Sequence, residues 1–183
     1  QFFIDITPDM VNAERCSIFV FNPESDTLWL YCGTDLQERQ IQVPRQSSMA
    51  GHALSSGHYQ VVSDLEEKAG IHEIVDNATG FTTCNTLSVP IFNGANDQAI
   101  GVLQILNKRG AHRFSNEDIA LMQRLSGEVS RYVESIFKHQ EVAEILVKIK
   151  KRIKSLENSL AREGIQKRLD QEMIASITPQ KTE

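Results

Sequence analysis

The chain has 183 residues, of which 40% are hydrophobic and 23% charged, and its formal net charge is -5. This length suits one ordinary domain plus an appendage, and the composition is normal for a soluble globular protein. The negative charge argues against a nucleic-acid-binding surface, which needs a basic patch, and no apolar run approaches the roughly 20 residues that span a bilayer.

The cysteines indicate a reducing compartment. Cys16, Cys32 and Cys84 are odd in number and lack CxxC spacing, which is typical of reduced cytosolic thiols and not of a disulfide framework or a zinc site. We therefore predict a cytoplasmic protein without a bound metal. The chain opens at Gln1, inside what reads as the end of a helix and without a signal peptide. We interpret it as a fragment of a longer protein whose effector domain lies outside this sequence.

The first part of the chain alternates strand and turn signals. Residues 15–21 form a predicted strand, which ends at a turn over residues 22–26 and pairs as a hairpin with a strand over residues 27–31. Residues 39–43 alternate polar and apolar side chains, which predicts a strand with one buried face. Residues 47–54 form a predicted short helix with a serine cap.

The middle of the chain completes a sheet. Residues 64–80 are polar and mixed, which indicates short helices and loops over the sheet. Two further strands, residues 86–92 and 99–106, flank a turn over residues 93–97, where the pair Asn93–Gly94 favours a hairpin. Five or six antiparallel strands with helices segregated to the faces predict an α+β domain.

From Asn116 onward the apolar residues recur at three- and four-residue steps, as in a helix. Its second half has the 4-3-4-3-4 spacing of a heptad seam, formed by Val142, Leu146, Ile149, Ile153, Leu156 and Leu160. A single exposed helix cannot bury such a stripe, so we predict a parallel homodimer through this helix. We expect Gly164 to end the helix, residues 165–173 to form a short amphipathic helix, and residues 179–183 to fray.

The segment between the last strand and the long helix carries the most informative motif. Asn107 and Lys108 are followed by Phe114 and Asp118. On the residues alone, Asn107 and Asp118 could simply organise a loop, because Asn favours turns and acids favour the first turn of a helix. The spacing resembles the Asn-Lys…Phe…Asp-Glu signature of GAF domains that bind cyclic nucleotides, although Ile119 stands where the family has Glu. The resemblance implies a Lys108–Asp118 pair that pins the lid region to the domain.

The resemblance extends over residues 13–138. It is carried by residues 15–17, 48–52, 76–83, 89–91 and 100–102, which are similar to the family's first strand, its G-I-A-G-H and D-x-x-T-G-F-x-T segments and its last two strands. It implies a GAF-like antiparallel sheet with helices on its faces, followed by a long C-terminal signalling helix. The implied domains are a GAF sensor over residues 1–138, a coiled-coil-type linker helix over residues 139–163, and a short helix with a frayed tail over residues 164–183.

The resemblance also implies a cyclic-nucleotide site without catalytic residues or a cofactor. The implied contact residues are Ser17, Tyr31, Cys32, Met49, Ala50, His72, Asp76, Thr79, Thr83 and Gln104. We expect no Arg or Lys to reach the phosphate, which would instead be bound by backbone N–H groups at the helix N-terminus of Met49 and Ala50 and at His72. Tyr31 would stack on the base, and Thr79 and Thr83 would reach the ribose and phosphate.

Several of these residues also have ordinary structural explanations. Tyr31 could pack in the core, and Thr79 and Thr83 could cap a helix. Cys32 departs from the Asp that the family often has. Gln104 stands where one relative has Glu, and because its amide both donates and accepts, the choice between adenine and guanine stays open, with a slight preference for cAMP over cGMP.

Three other functions remain open at this stage. Some GAF domains reduce free methionine sulfoxide with clustered cysteines, but no second cysteine follows Cys84. Others sense a bilin, haem, non-haem iron or a metabolite, and others only dimerise. We interpret the chain as a non-enzymatic regulatory sensor that binds a cyclic nucleotide and transmits this through a dimeric helix.

Overall fold

The computed structural model describes residues 2–34, 41–65, 70–94 and 97–177. Its elements, in chain order, are α1 (Phe2–Met10), β1 (Ala13–Asn22), β2 (Thr27–Gly33), β3 (Gln42–Pro44), α2 (Met49–Ser56), β4 (Gln60–Val62), α3 (Ile71–Thr79), β5 (Thr86–Phe92), β6 (Ala99–Lys108) and α4 (Asn116–Ile177). The chain divides into two compact units, Gln1–His139 and Gln140–Glu183.

A six-stranded sheet with the strand order β3-β2-β1-β6-β5-β4 forms the centre of the first unit. Every neighbouring pair of strands is antiparallel. The two ten-residue strands, β1 and β6, lie in the middle. Residues 16–21 of β1 are buried without interruption, as expected for a strand that is covered on both faces. The predicted α+β architecture, with a long C-terminal helix, is confirmed.

The strand register assigns the buried side chains to two faces of the sheet. Gln104 of β6 pairs with Ser17 of β1 and Ser88 of β5, and paired residues of antiparallel strands point to the same face. The next row, which includes Ile18 and Leu103, therefore points to the opposite face. α2 packs on the first face, against β5 and β6.

The elements differ from the sequence-based expectation in two places. α4 continues through Gly164 to Ile177, although a break is expected at this glycine. One glycine costs about 1 kcal/mol in a helix, and the surrounding Ala, Glu, Gln, Lys, Arg and Leu residues favour the helix enough to offset it. The edge strand β4 is not predicted, because three residues give too short a pattern to recognise.

Some predicted segments lie partly outside the described residues. These are residues 39–40 of the third strand, residues 66–69 and 95–96 of two connections, and the tail over residues 178–183.

The second unit contains the part of α4 that follows His139. Between residues 140 and 163, its large apolar side chains are about half exposed, from 49% for Ile149 to 67% for Leu160. They include all six residues of the predicted heptad seam. Within the four described ranges, no helix has both the length and the apolarity needed to cross a bilayer.

Candidate ligand-binding site

A cavity of about 300 Å³ lies on the face of the sheet that Gln104 occupies. Its floor is formed by side chains of β1, β5 and β6, and its walls by α2, α3 and the loop that follows α3. The volume is at the lower end of the range of small-molecule sites, which is about 300–1,000 Å³. The cavity is therefore large enough for a compact ligand.

The cavity brings together seven of the ten contact residues expected from the sequence. They are Met49, Ala50, His72, Asp76, Thr79, Thr83 and Gln104. They come from two helices, one loop and one strand, and span residues 49 to 104 of the chain. Tertiary folding, and not local sequence, therefore creates this cluster.

The N-terminus of α2 forms one wall and is fixed by Ser48. The Ser48 hydroxyl accepts a hydrogen bond from the Gly51 N–H at 3.0 Å and donates one to the Pro44 carbonyl at 2.6 Å. A Cβ on residue 51 would lie 2.0 Å from the Arg45 carbonyl oxygen, so only glycine permits this close packing. The first N–H groups of a helix have no acceptor within the helix, which makes them available to an anion.

The last turn of α3 and the following loop form a second wall. The Thr79 hydroxyl donates to the Val75 carbonyl at 2.8 Å. Asp76 accepts from the N–H and from the hydroxyl of Thr83, both at 2.7 Å. These residues therefore have a structural role, because they hydrogen-bond within the protein at the end of α3. It does not remove them from a ligand site, because hydroxyl and carboxylate oxygens keep further acceptor capacity.

His72 connects the start of α3 to the preceding segment. Its Nε2 lies 3.2 Å from the Leu65 carbonyl oxygen. Because a carbonyl only accepts, this contact requires the tautomer with the proton on Nε2. Both residues line the cavity, so the contact holds the beginning of α3 at its wall.

The floor carries Gln104, whose Nε2 donates to the Ser88 hydroxyl at 2.9 Å. Ser17 pairs with Gln104 in the register and lies on the same face, 2% exposed. It is buried beside the cavity and does not line it. Among the expected base contacts, Gln104 is thus at the surface of the cavity, whereas Ser17 is buried beside it.

The structure does not bring Tyr31 and Cys32 to the cavity. A β-bulge inserts Tyr31 between Leu30 and Cys32, which pair with successive residues of β1. The ring of Tyr31 packs at a centroid distance of 5.8 Å on Tyr132 of α4, and the two hydroxyls lie 2.8 Å apart. Cys32 pairs with Ile18, which points away from the cavity. The stacking role expected for Tyr31 therefore has no geometric basis, because α4 covers that face.

No Arg or Lys is expected at the phosphate from the sequence, but the structure places one arginine in the cavity lining. Arg15 of β1 lines the cavity, and its guanidinium lies 4.0 Å from the centroid of the Phe81 ring, which also lines it. This distance is within the range of a cation–π contact. Strand alternation could have revealed the arginine, since Arg15 is two residues from Ser17 and so shares its face.

Asn107 fastens the end of β6 to the segment that leads from α3 to β5. Its Nδ2 donates to the Thr82 carbonyl at 2.8 Å, and its Oδ1 accepts from the Cys84 N–H at 2.8 Å. The Asn107 backbone is left-handed, with a φ of 56°. Asn tolerates this conformation better than most residues, which explains its use here.

Lys108 and Asp118 connect β6 to the start of α4. The Lys108 Nζ lies 2.8 Å from the Asp118 carboxylate and also donates to the Val11 carbonyl at 2.8 Å. Burial alone raises the pKa of Asp118, but the hydrogen bonds from Lys108 and Ser115 outweigh it, so the pKa lies below its ordinary value. Phe114, beside this pair, is 3% exposed in the core. The motif is thus a structural junction outside the cavity lining.

Comparisons with known proteins identify the family of this fold. The family model of the GAF domain matches residues 4–133. The chain is 27% identical over 120 residues to the dual 3',5'-cyclic-AMP and -GMP phosphodiesterase 11A of Takifugu rubripes, covering 60% of this chain and 13% of that protein. It is 25% identical over 93 residues to the cone cGMP-specific 3',5'-cyclic phosphodiesterase subunit alpha' of Gallus gallus, covering 51% and 11%.

A solved structure with the same fold is the GAF domain of a phosphoenolpyruvate-protein phosphotransferase from Coxiella burnetii. It superposes with a TM-score of 0.63 at 15% identity, covering 75% of this chain and 82% of that one. The match to the family model spans the sheet and its covering helices up to residue 133 of α4. The chain belongs to the GAF domain family.

Proposed function

We propose that this chain is the regulatory sensor of a multidomain cytoplasmic signalling protein and that its cavity binds a cyclic nucleotide, with cAMP slightly preferred over cGMP. The observation that carries this proposal is the convergence of seven expected contact residues on one cavity. The names of both curated relatives include 3',5'-cyclic nucleotides, but the chain covers only 13% and 11% of their lengths.

The chemistry of the cavity wall suits a cyclic phosphate ester. The N–H groups at the start of α2, near Met49 and Ala50, favour an anion through hydrogen bonding and the helix dipole. The floor contributes the guanidinium of Arg15, and the wall contributes the hydroxyls of Thr79 and Thr83. These groups suit the phosphate and ribose oxygens. The Gln104 amide on the floor offers a polar contact to the base.

The proposed signal leaves the cavity through the contacts at the end of β6. Asn107 connects the loop after α3 to β6, and the Lys108–Asp118 pair connects β6 to the start of α4. Closure of residues 64–83 over the nucleotide would change these contacts and the packing of α4 in a parallel homodimer. The ligand can bias the helix only by its difference in affinity for the two arrangements.

The alternatives are a GAF domain that dimerises without a ligand and a sensor of another small molecule. Isothermal titration with cAMP and with cGMP separates them from the proposal. We expect the wild type to bind cAMP slightly more tightly than cGMP, and we expect the variant Asp76→Ala with Thr83→Ala to bind at least about tenfold more weakly, because two polar contacts are lost. Substitution of the exposed Asn77 by Ala on the same helix is the control.

If titration of the wild type with either nucleotide gives no detectable heat of binding, the alternatives are favoured. Unchanged affinity in the double variant, with wild-type binding intact, would show that the nucleotide binds elsewhere.

A further inference from the structure

Thr86, the first residue of β5, carries a buried hydroxyl that lacks a hydrogen-bond partner. The side chain is 0% exposed, and within the described part of the chain its Oγ1 bonds to nothing. The register pairs Thr86 with Leu106 of β6 and Val62 of β4. All three residues line the cavity. A buried hydroxyl without a partner is unfavourable and uncommon, so this one needs an explanation.

Gln104 presents a second unused polar atom on the same floor. Its Nε2 is bonded to Ser88, whereas its Oε1 accepts no hydrogen bond from the residues that the structure describes. Because Ser88 pairs with Gln104 and lies two residues after Thr86, Thr86 and Gln104 are diagonal neighbours on one face. Diagonal neighbours are about 7–8 Å apart at their backbones, within reach of one long side chain.

We infer that Thr86 is a further ligand-contacting residue and that its hydroxyl and the Oε1 of Gln104 together bind the polar edge of the nucleotide base. This inference rests on the proposed cyclic-nucleotide function. An amide oxygen accepts a hydrogen bond from a base N–H, and a hydroxyl donates to or accepts from the neighbouring position. Adenine and guanine both place donors beside acceptors on their edges, so this floor suits a purine.

The buried hydroxyl makes threonine less favourable than valine at residue 86 when no ligand group contacts it. Valine would fill the space of Thr86 with no polar atom to satisfy, and it is at least as favourable in a strand. A threonine in this position gains nothing within the unliganded protein from its hydroxyl. Its hydrogen-bonding capacity is used only when a polar ligand group reaches the floor and the buried hydroxyl turns toward it.

The test compares Thr86→Val, which removes the hydroxyl and keeps the shape, with Thr86→Ser, which keeps the hydroxyl. Affinities for cAMP and cGMP are measured by titration, and unliganded stability by thermal unfolding. We expect Thr86→Val to weaken binding of the preferred nucleotide about tenfold while its unliganded unfolding midpoint stays equal or rises. Thr86→Ser should bind within about twofold of the wild type, because the contacting group is retained.

Thr7→Val is the matched control. Thr7 is also 0% exposed, but it lies on α1 and donates a hydrogen bond of 2.7 Å to the Phe3 carbonyl. This variant should unfold at a lower temperature and bind nucleotide normally.

Four outcomes contradict the inference, and they are distinguishable. Unchanged affinity in Thr86→Val overturns the contact alone and leaves the proposed function standing. A lowered unliganded midpoint in Thr86→Val, like that of Thr7→Val, assigns the hydroxyl a structural role. An equal loss of affinity in Thr86→Ser shows that shape matters and the hydroxyl does not. A wild type that binds neither nucleotide overturns the proposed function together with this inference.

Discussion

Asp76 closes the segment after α3 by accepting two hydrogen bonds from Thr83, one from the backbone N–H and one from the hydroxyl, each 2.7 Å long. Gly80, in the left-handed conformation with a φ of 65°, makes the turn between them. Asp76 and Thr83 both line the cavity. One carboxylate therefore accepts two of the hydrogen bonds that order this wall.

Replacement of Asp76 by Ala should destabilise this wall. Two hydrogen bonds to a charged acceptor are lost, and we expect the free energy of unfolding to fall by about 1.5–3 kcal/mol. Amide hydrogen exchange should accelerate in the segment around residues 76–84. The exposed Asn77, replaced by Ala, is the control on the same helix. Unchanged exchange in the Asp76 variant would show that other contacts hold the wall.

The Lys108–Asp118 pair should make the stability of the fold depend on pH in the acid range. The folded-state pKa of Asp118 lies below its ordinary value, which is about 3.9. Its contribution is therefore fully present above about pH 4 and is lost as the pH falls through the folded-state pKa. The difference in stability between the wild type and Asp118→Asn should be largest near neutral pH and should shrink below about pH 4.

Thermal unfolding at several pH values checks this prediction. Glu117→Gln, which changes the exposed neighbouring acid, provides the comparison. A stability difference for Asp118→Asn that is equal at pH 3 and pH 7 would show that the carboxylate charge is not what stabilises this junction.

Arg15 and Phe81 should be energetically coupled. The guanidinium lies 4.0 Å over the ring and joins β1 to the loop after α3. Arg15→Met and Phe81→Leu, alone and together, form a double-mutant cycle in the free energy of unfolding. We expect a coupling energy of about 0.5–1 kcal/mol, as for partly exposed cation–π pairs. Additive effects of the two substitutions would mean that the contact contributes nothing to stability.

The apolar seam of the second unit predicts dimerisation. Ile149 and Ile153 are 49% and 50% exposed. In a coiled coil these positions would face the partner helix, so Ile149→Lys with Ile153→Lys should give monomers in analytical ultracentrifugation. The control variant Lys151→Ala with Lys154→Ala lies off the seam and should have the same oligomeric state as the wild type. Dimers that persist in the isoleucine variant would place the interface elsewhere.

Sequence patterns predicted those parts of the fold that depend on local chemistry. The strands around residues 15–31 and 86–106 follow from alternation and turn residues, and the start of α4 follows from the Asn116–Asp118 segment. The predicted helix end at Gly164 is wrong, because a single residue with low helix propensity does not outweigh its strongly helical neighbours.

The candidate site was less predictable, because it depends on which face of the sheet each helix covers. Resemblance located the residues on α2 and α3 that line the cavity. It also suggested Tyr31, which a bulge and the packing of Tyr132 turn away from the cavity. Neither Arg15 nor Thr86 is among the contact residues expected from the sequence. Alternation from Ser17 is enough to place Arg15 on the cavity face, whereas the place of Thr86 becomes clear only from the strand register.

The most direct test of cyclic-nucleotide binding is thermal unfolding of the chain with cAMP, with cGMP and with 5'-AMP as a non-cyclic control. At about a hundred times the dissociation constant, binding to the folded state adds about 2.7 kcal/mol of stability. At equal concentrations we expect the midpoint to rise by about 5–10 °C with cAMP, by less with cGMP, and not with 5'-AMP. The same midpoint with and without both cyclic nucleotides, at millimolar concentrations, would contradict the assignment of this GAF domain as a cyclic-nucleotide sensor.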